Sequence, residues 1–177
     1  KQQIIESPLF HMDPIMTSNF DGWPAIFNDL PKPSIFMLAD LWEGGFHGYH
    51  PDYIPPDAAY GTVQELSTAI DAAHDNNQLI MPFTLPSWWH EDSDTVTNQL
   101  GGLTTDDISM IDAAGTADYA SWTLGAQVDW GYFVSPYNSF VKTRVDNVLN
   151  ELVNDFDMDL IYEDVVGARR CYYDFNP

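Results

Sequence analysis

Apolar runs of strand length alternate along this chain with segments whose apolar residues recur at helical spacing. That alternation constrains the fold more than any other feature. Ser34-Ile-Phe-Met-Leu-Ala-Asp40 is one continuous run and Gln78-Leu-Ile-Met-Pro-Phe-Thr-Leu85 a second. Gly131-Tyr-Phe-Val-Ser135 is a third, and Leu160-Ile-Tyr162 a fourth. Pro82 argues against a central position for the second unless a bulge accommodates it. Between the runs, Val63, Leu66, Ile70 and Ala73 mark a helix to about Asn76, with Thr62 as its cap and Glu65 at the capping-box position. Val141, Val145, Val148, Leu149, Leu152, Val153 and Phe156 form the clearest amphipathic helix and lead into the last strand.

Strands that alternate with helices predict an α/β fold with a parallel sheet and right-handed crossovers. Four strands suit an open sheet or half of an eight-stranded (β/α) barrel, which takes about 250 residues. The chain stops at Pro177, just past the fourth strand and before any closing helix, so the expectation is the N-terminal half of a TIM-type barrel. Residues 1–33 form a lead-in, and 34–177 carry the half barrel. Residues 93–128 are a polar, weakly periodic excursion with a short helix near Thr105 to Asp112. Glu43 to Pro56 is rich in Gly and Pro and predicts an irregular loop held by aromatic packing.

Charge narrows the partners. The 177 residues include 27 acidic against 6 basic side chains, a net charge of −21. Such a surface repels nucleic acid and anionic lipid, whose phosphates need Lys and Arg. Self-repulsion on this scale requires screening, so a salt-adapted source is expected, with an acidic secreted protein as the alternative. Cys171 is the only cysteine, which excludes an intrachain disulfide and a multi-cysteine metal site. No apolar run approaches the roughly 20 residues of a membrane span. The first residues, Lys1-Gln-Gln-Ile-Ile5, carry neither a signal-peptide pattern nor an initiator Met.

Polar and aromatic residues gather behind each predicted strand: Asp40, Trp42 and Glu43; Trp88, Trp89 and His90; Ser135 and Tyr137; Glu163, Asp164 and Arg169. In a parallel sheet these groups meet at one mouth, where active sites of such folds are built. Asp164 stands where an acid, base or nucleophile would stand. Alternatively, Glu163 and Asp164 cap the next element or pair with Arg169 and Arg170. Aromatic faces beside carboxylates suit a sugar, although any one Trp is better explained by the core. His47, His50 and His90 with Asp40 and Asp52 match no compact metal motif, and no cofactor is expected. Gly44-Gly45 lacks the Lys-Ser/Thr of a phosphate loop, and neither Ser87 nor Ser135 lies in a nucleophile elbow.

The stretches Trp42-Glu-Gly-Gly-Phe-His-Gly-Tyr-His-Pro-Asp-Tyr-Ile-Pro-Pro56, Met81-Pro-Phe-Thr-Leu-Pro86 and Leu160-Ile-Tyr-Glu-Asp-Val-Val-Gly167 resemble a group of glycosidase-like barrel proteins catalogued as a domain of unknown function. That group is distantly similar to endo-α-N-acetylgalactosaminidase-type glycoside hydrolases. The resemblance implies that Tyr162-Glu-Asp-Val165 matches a Tyr-X-Asp-Val segment ending the fourth barrel strand, which makes Asp164 the catalytic nucleophile. It also implies a general acid on a later strand, past Pro177. Carbohydrate is then the partner, with the remainder of a longer barrel chain, and an extracellular location is favoured. Asp40, Trp42, Trp88, Trp89, His90, Glu163 and Arg169 become candidate substrate contacts. Two rival readings remain: a carbohydrate-binding barrel without turnover, and a structural or assembly protein.

Overall fold

The computed structural model describes residue 4 and residues 6–46, 48–166 and 173–176. In chain order the elements are β1 (Leu9–Met12), a 3-10 turn (Phe20–Gly22), α1 (Trp23–Asp29), β2 (Ser34–Leu38), α2 (Val63–Asp75) and β3 (Gln78–Thr84). There follow β4 (Trp88–His90), α3 (Asp94–Asn98), α4 (Thr105–Ile108), β5 (Tyr119–Leu124), β6 (Gln127–Phe133), α5 (Ser139–Asn154) and β7 (Tyr162–Glu163). They divide into two compact units. The first comprises Lys1–Phe46, Ile54–Phe83 and Leu149–Tyr162, and the second His47–Tyr53, Thr84–Val148 and Glu163–Pro177.

The first unit is built on a sheet of order β1-β2-β3-β7. The β1–β2 and β2–β3 pairs are parallel. β2 is buried at four of its five positions, as a parallel strand covered on both faces must be. Pro82 lies inside β3 opposite Leu38, the last residue of β2; Ile80 and Thr84 on either side of it turn their carbonyls toward the β7 segment, so the donor it lacks falls on that short edge strand. Trp23 and Phe27 on α1 point into the core, where Phe20 meets Trp23 edge-on at 5.1 Å and Phe27 meets Phe36 at 4.7 Å. The capping box of α2 forms: Thr62 Oγ1 accepts the Glu65 N–H at 3.2 Å, and Glu65 Oε2 accepts the Thr62 N–H at 2.7 Å. Leu66, Ala69, Ile70 and Ala73 are its buried stripe. His74 is more than a dipole partner at the end of α2. Its Nε2 lies 3.0 Å from Asp159 Oδ2, which also accepts the Ile80 N–H at 2.8 Å. One carboxylate thus ties the approach to β7 to both a helix and a strand.

Two expectations about strands are corrected. Leu9–Met12, inside the expected lead-in, is a sheet strand. The run Gly131 to Ser135 does not join the parallel sheet. Its residues to Phe133 end β6, which pairs antiparallel with β5 and β4 in a separate sheet of order β4-β6-β5. The reason is the connection: only residues 125 and 126 separate β5 from β6, and a two-residue turn admits antiparallel pairing alone. Gly125, at φ +61°, supplies the backbone shape that turn requires.

In the second unit Trp89, Val96, Ile108, Val134 and Val141 form the core. Gly131 is required by packing, because a Cβ there would stand 2.3 Å from the Trp89 carbonyl oxygen and 2.6 Å from the Trp88 ring. The loop segment ending in Tyr53 is pinned by an ionic cluster. Arg144 on α5 places Nη2 2.5 Å from Asp52 Oδ1 and donates from Nε to Thr95 Oγ1 at 2.9 Å. The Thr95 N–H in turn donates to Asp52 Oδ2 at 2.9 Å.

Candidate functional site

Asp40 follows β2 and lies in the first unit at φ +57°, a left-handed conformation that non-glycine residues adopt at a cost. It is 6% exposed. Its neighbour is Asp13, which follows β1 and was not among the residues singled out from sequence. The two strands are in register as Met12↔Leu38, and the Ala39 N–H donates to the Met12 carbonyl at 2.9 Å, so both acids occur at one end of the sheet. Burial, then the Asp13 charge and a hydrogen bond between the two side chains, push the Asp40 carboxyl from the usual 3.8 up to about 6. Close to neutrality this carboxyl still holds a proton for part of the time, the state a general acid needs. Trp42 is buried, and its Nε1 donates to the Phe83 carbonyl at 2.9 Å, a tie from the loop after β2 to β3. Glu43 is exposed.

The second unit holds the remaining candidates. Trp88 and Trp89 are both fully buried on β4. Trp88 Nε1 donates to the Ala120 carbonyl at 3.3 Å, and Trp89 Nε1 to the Pro86 carbonyl at 3.1 Å. Both rings are wholly engaged in packing and offer no open stacking face. His90 is buried as well. Its Nδ1 accepts the Asp92 N–H at 3.0 Å, which leaves the ring proton on Nε2, 3.6 Å from Asp129 Oδ1. Ser135 is buried and Tyr137 exposed.

Glu163, the last residue of β7, is exposed and lines a cavity of about 430 Å³ together with Ser87, Met110, Val141, Val145 and Val166. That volume lies within the range of small-molecule sites. Asp164 follows, half-buried, and its N–H donates to the Thr84 carbonyl at 2.9 Å. Its own carbonyl accepts the Val166 N–H at 2.8 Å across Val165, which stands at φ +65°. A γ-turn closed around a β-branched residue in the left-handed region is strained by about 1–3 kcal/mol, and such strain collects at functional sites. Nothing in the order Tyr-Glu-Asp-Val announces this turn. Arg169 lies outside the described residues, as do His47, Arg170 and Cys171. Among the described residues no group of three or more His, Cys, Asp or Glu side chains could hold a metal ion. No helix among them is long and apolar enough to cross a membrane.

No protein-family model and no curated protein matches this sequence. Solved structures do. An α-N-acetylgalactosaminidase from Bifidobacterium bifidum superposes on 97% of the chain with a TM-score of 0.72 at 15% identity. The fold is that of part of a (β/α) barrel. A noncanonic maltogenic α-amylase from Thermotoga neapolitana matches 95% of the chain with a TM-score of 0.67 at 14% identity. An α-amylase from Geobacillus thermoleovorans, solved with acarbose, matches 92% with a TM-score of 0.61 at 16% identity. The chain spans only 29%, 41% and 39% of these three proteins respectively. The likeness to glycoside-hydrolase barrels implied by the short motifs therefore holds for the fold, and the match is to part of such a barrel.

Proposed function

We propose that this chain is part of a glycoside hydrolase-like barrel that engages a glycan, with Asp164 as the nucleophilic carboxylate. The observation that carries the reading is local. Asp164 directly follows a sheet strand, is tied by its backbone to the neighbouring strand through Thr84, and precedes the strained Val165. A carboxylate held in this way reaches a reacting carbon with little freedom to lose.

In this mechanism ionised Asp164 attacks the anomeric carbon or stabilises the oxocarbenium-like transition state, while a second carboxyl group protonates the departing oxygen. The two stand about 5–5.5 Å apart in retaining enzymes and about 6.5–9.5 Å apart in inverting ones. The second group is assigned to the remainder of a longer barrel chain. Glu163 supplies a hydrogen-bonding partner for sugar hydroxyls. Fold likeness to enzymes acting on α-linked sugars supports a glycan as the ligand, an argument by analogy.

A second reading keeps the fold and the glycan but removes turnover. The complete burial of Trp88 and Trp89 favours it, because those rings support packing. The experiment that separates the two is glycoside hydrolysis by the full-length protein and its Asp164→Asn variant, with glycan binding measured in parallel. The catalytic reading expects the variant to bind without turning over. Equal turnover by both proteins removes Asp164 from the chemistry.

A further inference from the structure

The β5–β6 hairpin has two faces of opposite character. Register pairs Tyr119 with Tyr132, Ser121 with Trp130 and Thr123 with Val128, so these six side chains share one face. The other face turns Trp122 and Phe133 toward each other at 6.2 Å, with Phe133 buried and Gly131 against the Trp88 ring of the neighbouring strand β4. A hairpin that packs through one face normally shows polar residues on the other. Here the outer face is aromatic. Tyr119 is 41% and Trp130 42% exposed, and their rings stack at 5.1 Å with an interplanar angle of 21°. Tyr132, 4.9 Å from Tyr119, joins this strip to the core by packing against the Trp89 cluster. Glu91 holds the strip in place, accepting the Tyr119 hydroxyl and donating its N–H to the Trp130 carbonyl at 2.9 Å.

The strip does not end at Tyr119. Tyr119 also lines a cavity of about 300 Å³, together with Asp112, Thr116, Asp118 and Tyr173. Two exposed, stacked rings therefore adjoin a concavity lined by two carboxylates. Charge selects the occupant. No Lys or Arg occurs between Lys32 and Lys142, so nothing on the hairpin would hold an anion. A second copy of a chain with net charge −21 would be repelled. Rings that stack on apolar ring faces, beside carboxylates that accept hydroxyl protons, fit an uncharged polyol.

We infer that the outer face of the β5–β6 hairpin, from Trp130 through Tyr119 into the cavity beside Asp112 and Asp118, is a binding surface for a neutral polysaccharide. It is distinct from the cavity beside Glu163. The strip anchors a chain by stacking, and the concavity takes a sugar unit through hydrogen bonds to its carboxylates. The inference does not depend on Asp164 being catalytic.

Native-gel affinity electrophoresis of the full-length protein tests it, with soluble starch or galactomannan cast in the gel and heparin as the anionic control. The wild-type protein is retarded by at least one neutral polymer and not by heparin. Trp130→Ala and Tyr119→Ala each weaken retardation by about tenfold or more, whereas Trp130→Phe retains most of it. Ser121→Lys, which keeps every ring and obstructs the face opposite Trp130, weakens it as well. Two results would overturn the inference: no retardation by either neutral polymer, or retardation unchanged by both Trp130→Ala and Ser121→Lys.

Discussion

Asp13 and Asp40 stand at the ends of two neighbouring parallel strands, close enough for the Asp13 charge to raise the Asp40 carboxyl. Two carboxyl groups this near resist ionising together, so one of them keeps its proton to higher pH. The shift of Asp40 from 3.8 to about 6 expresses that arrangement, with burial as its largest cause. Because the folded-state value is the higher one, the folded protein binds the proton more tightly than the unfolded chain. The associated stability is fully present below pH 3.8 and is lost as pH rises through about 6. Asp40→Asn, uncharged at every pH, should therefore be more stable than wild type at pH 7 by roughly 1–3 kcal/mol. The gain should vanish below about pH 4. Urea unfolding at pH 3.5, 5 and 7 checks the trend, and a gain independent of pH would contradict it.

The Asp52–Arg144 pair leads to a second prediction. Its side chains are 16% and 25% exposed, so solvent screens it only in part. Arg144→Gln should destabilise by about 1.5–3 kcal/mol, because Asp52 is then left partly buried without its counter-charge. Adding Asp52→Asn should recover part of that loss. A double-mutant cycle with no coupling would show that the pair contributes nothing.

Gly131 and Gly102 should respond differently to alanine. At Gly131 the added methyl meets backbone and indole at 2.3–2.6 Å, and neither can retreat without disturbing β4. Gly131→Ala should cost about 3 kcal/mol or more. Gly102 has open space around it but φ +95°, so Gly102→Ala should cost only the backbone strain, about 1–2 kcal/mol. Thermal unfolding of the two variants side by side measures the difference.

The net charge of −21 predicts a strong salt response. Raising NaCl from 0.1 to 1 M shortens the Debye length from about 10 to about 3 Å. The melting temperature should rise by more than about 5 °C if self-repulsion dominates the electrostatics. A flat or falling curve would reject salt adaptation.

Much of this fold was legible because particular residues carry unambiguous signals. Thr62 and Glu65 announce the start of α2, and the apolar continuity of Ser34 to Leu38 and Gln78 to Thr84 announces buried strands. β1 escaped notice because it has only four residues, with His11 among them and Leu9 58% exposed, too little burial to imprint a pattern. β5 and the first two residues of β6 fell inside the expected polar excursion because Ser121, Thr123, Gly125 and Gln127 interrupt the apolar pattern, although Gly125 between two alternating runs was a usable turn signal. The pairing of Asp13 with Asp40 depends on the register of two strands joined through a helix, which no local motif encodes. The burial of Trp88 and Trp89 was equally hidden, since adjacent tryptophans on a short strand reveal nothing about what covers each face. Asp164 was found through its neighbours in sequence, and the strained turn at Val165 became visible only in three dimensions.

The most direct test of the account is hydrolysis by full-length protein carrying Asp164→Asn, assayed as release of reducing sugar and accompanied by a melting curve. The account predicts turnover reduced by about 10³-fold or more, with the melting temperature unchanged within a few degrees. Turnover close to wild type, in a variant that melts like wild type, would contradict the central claim.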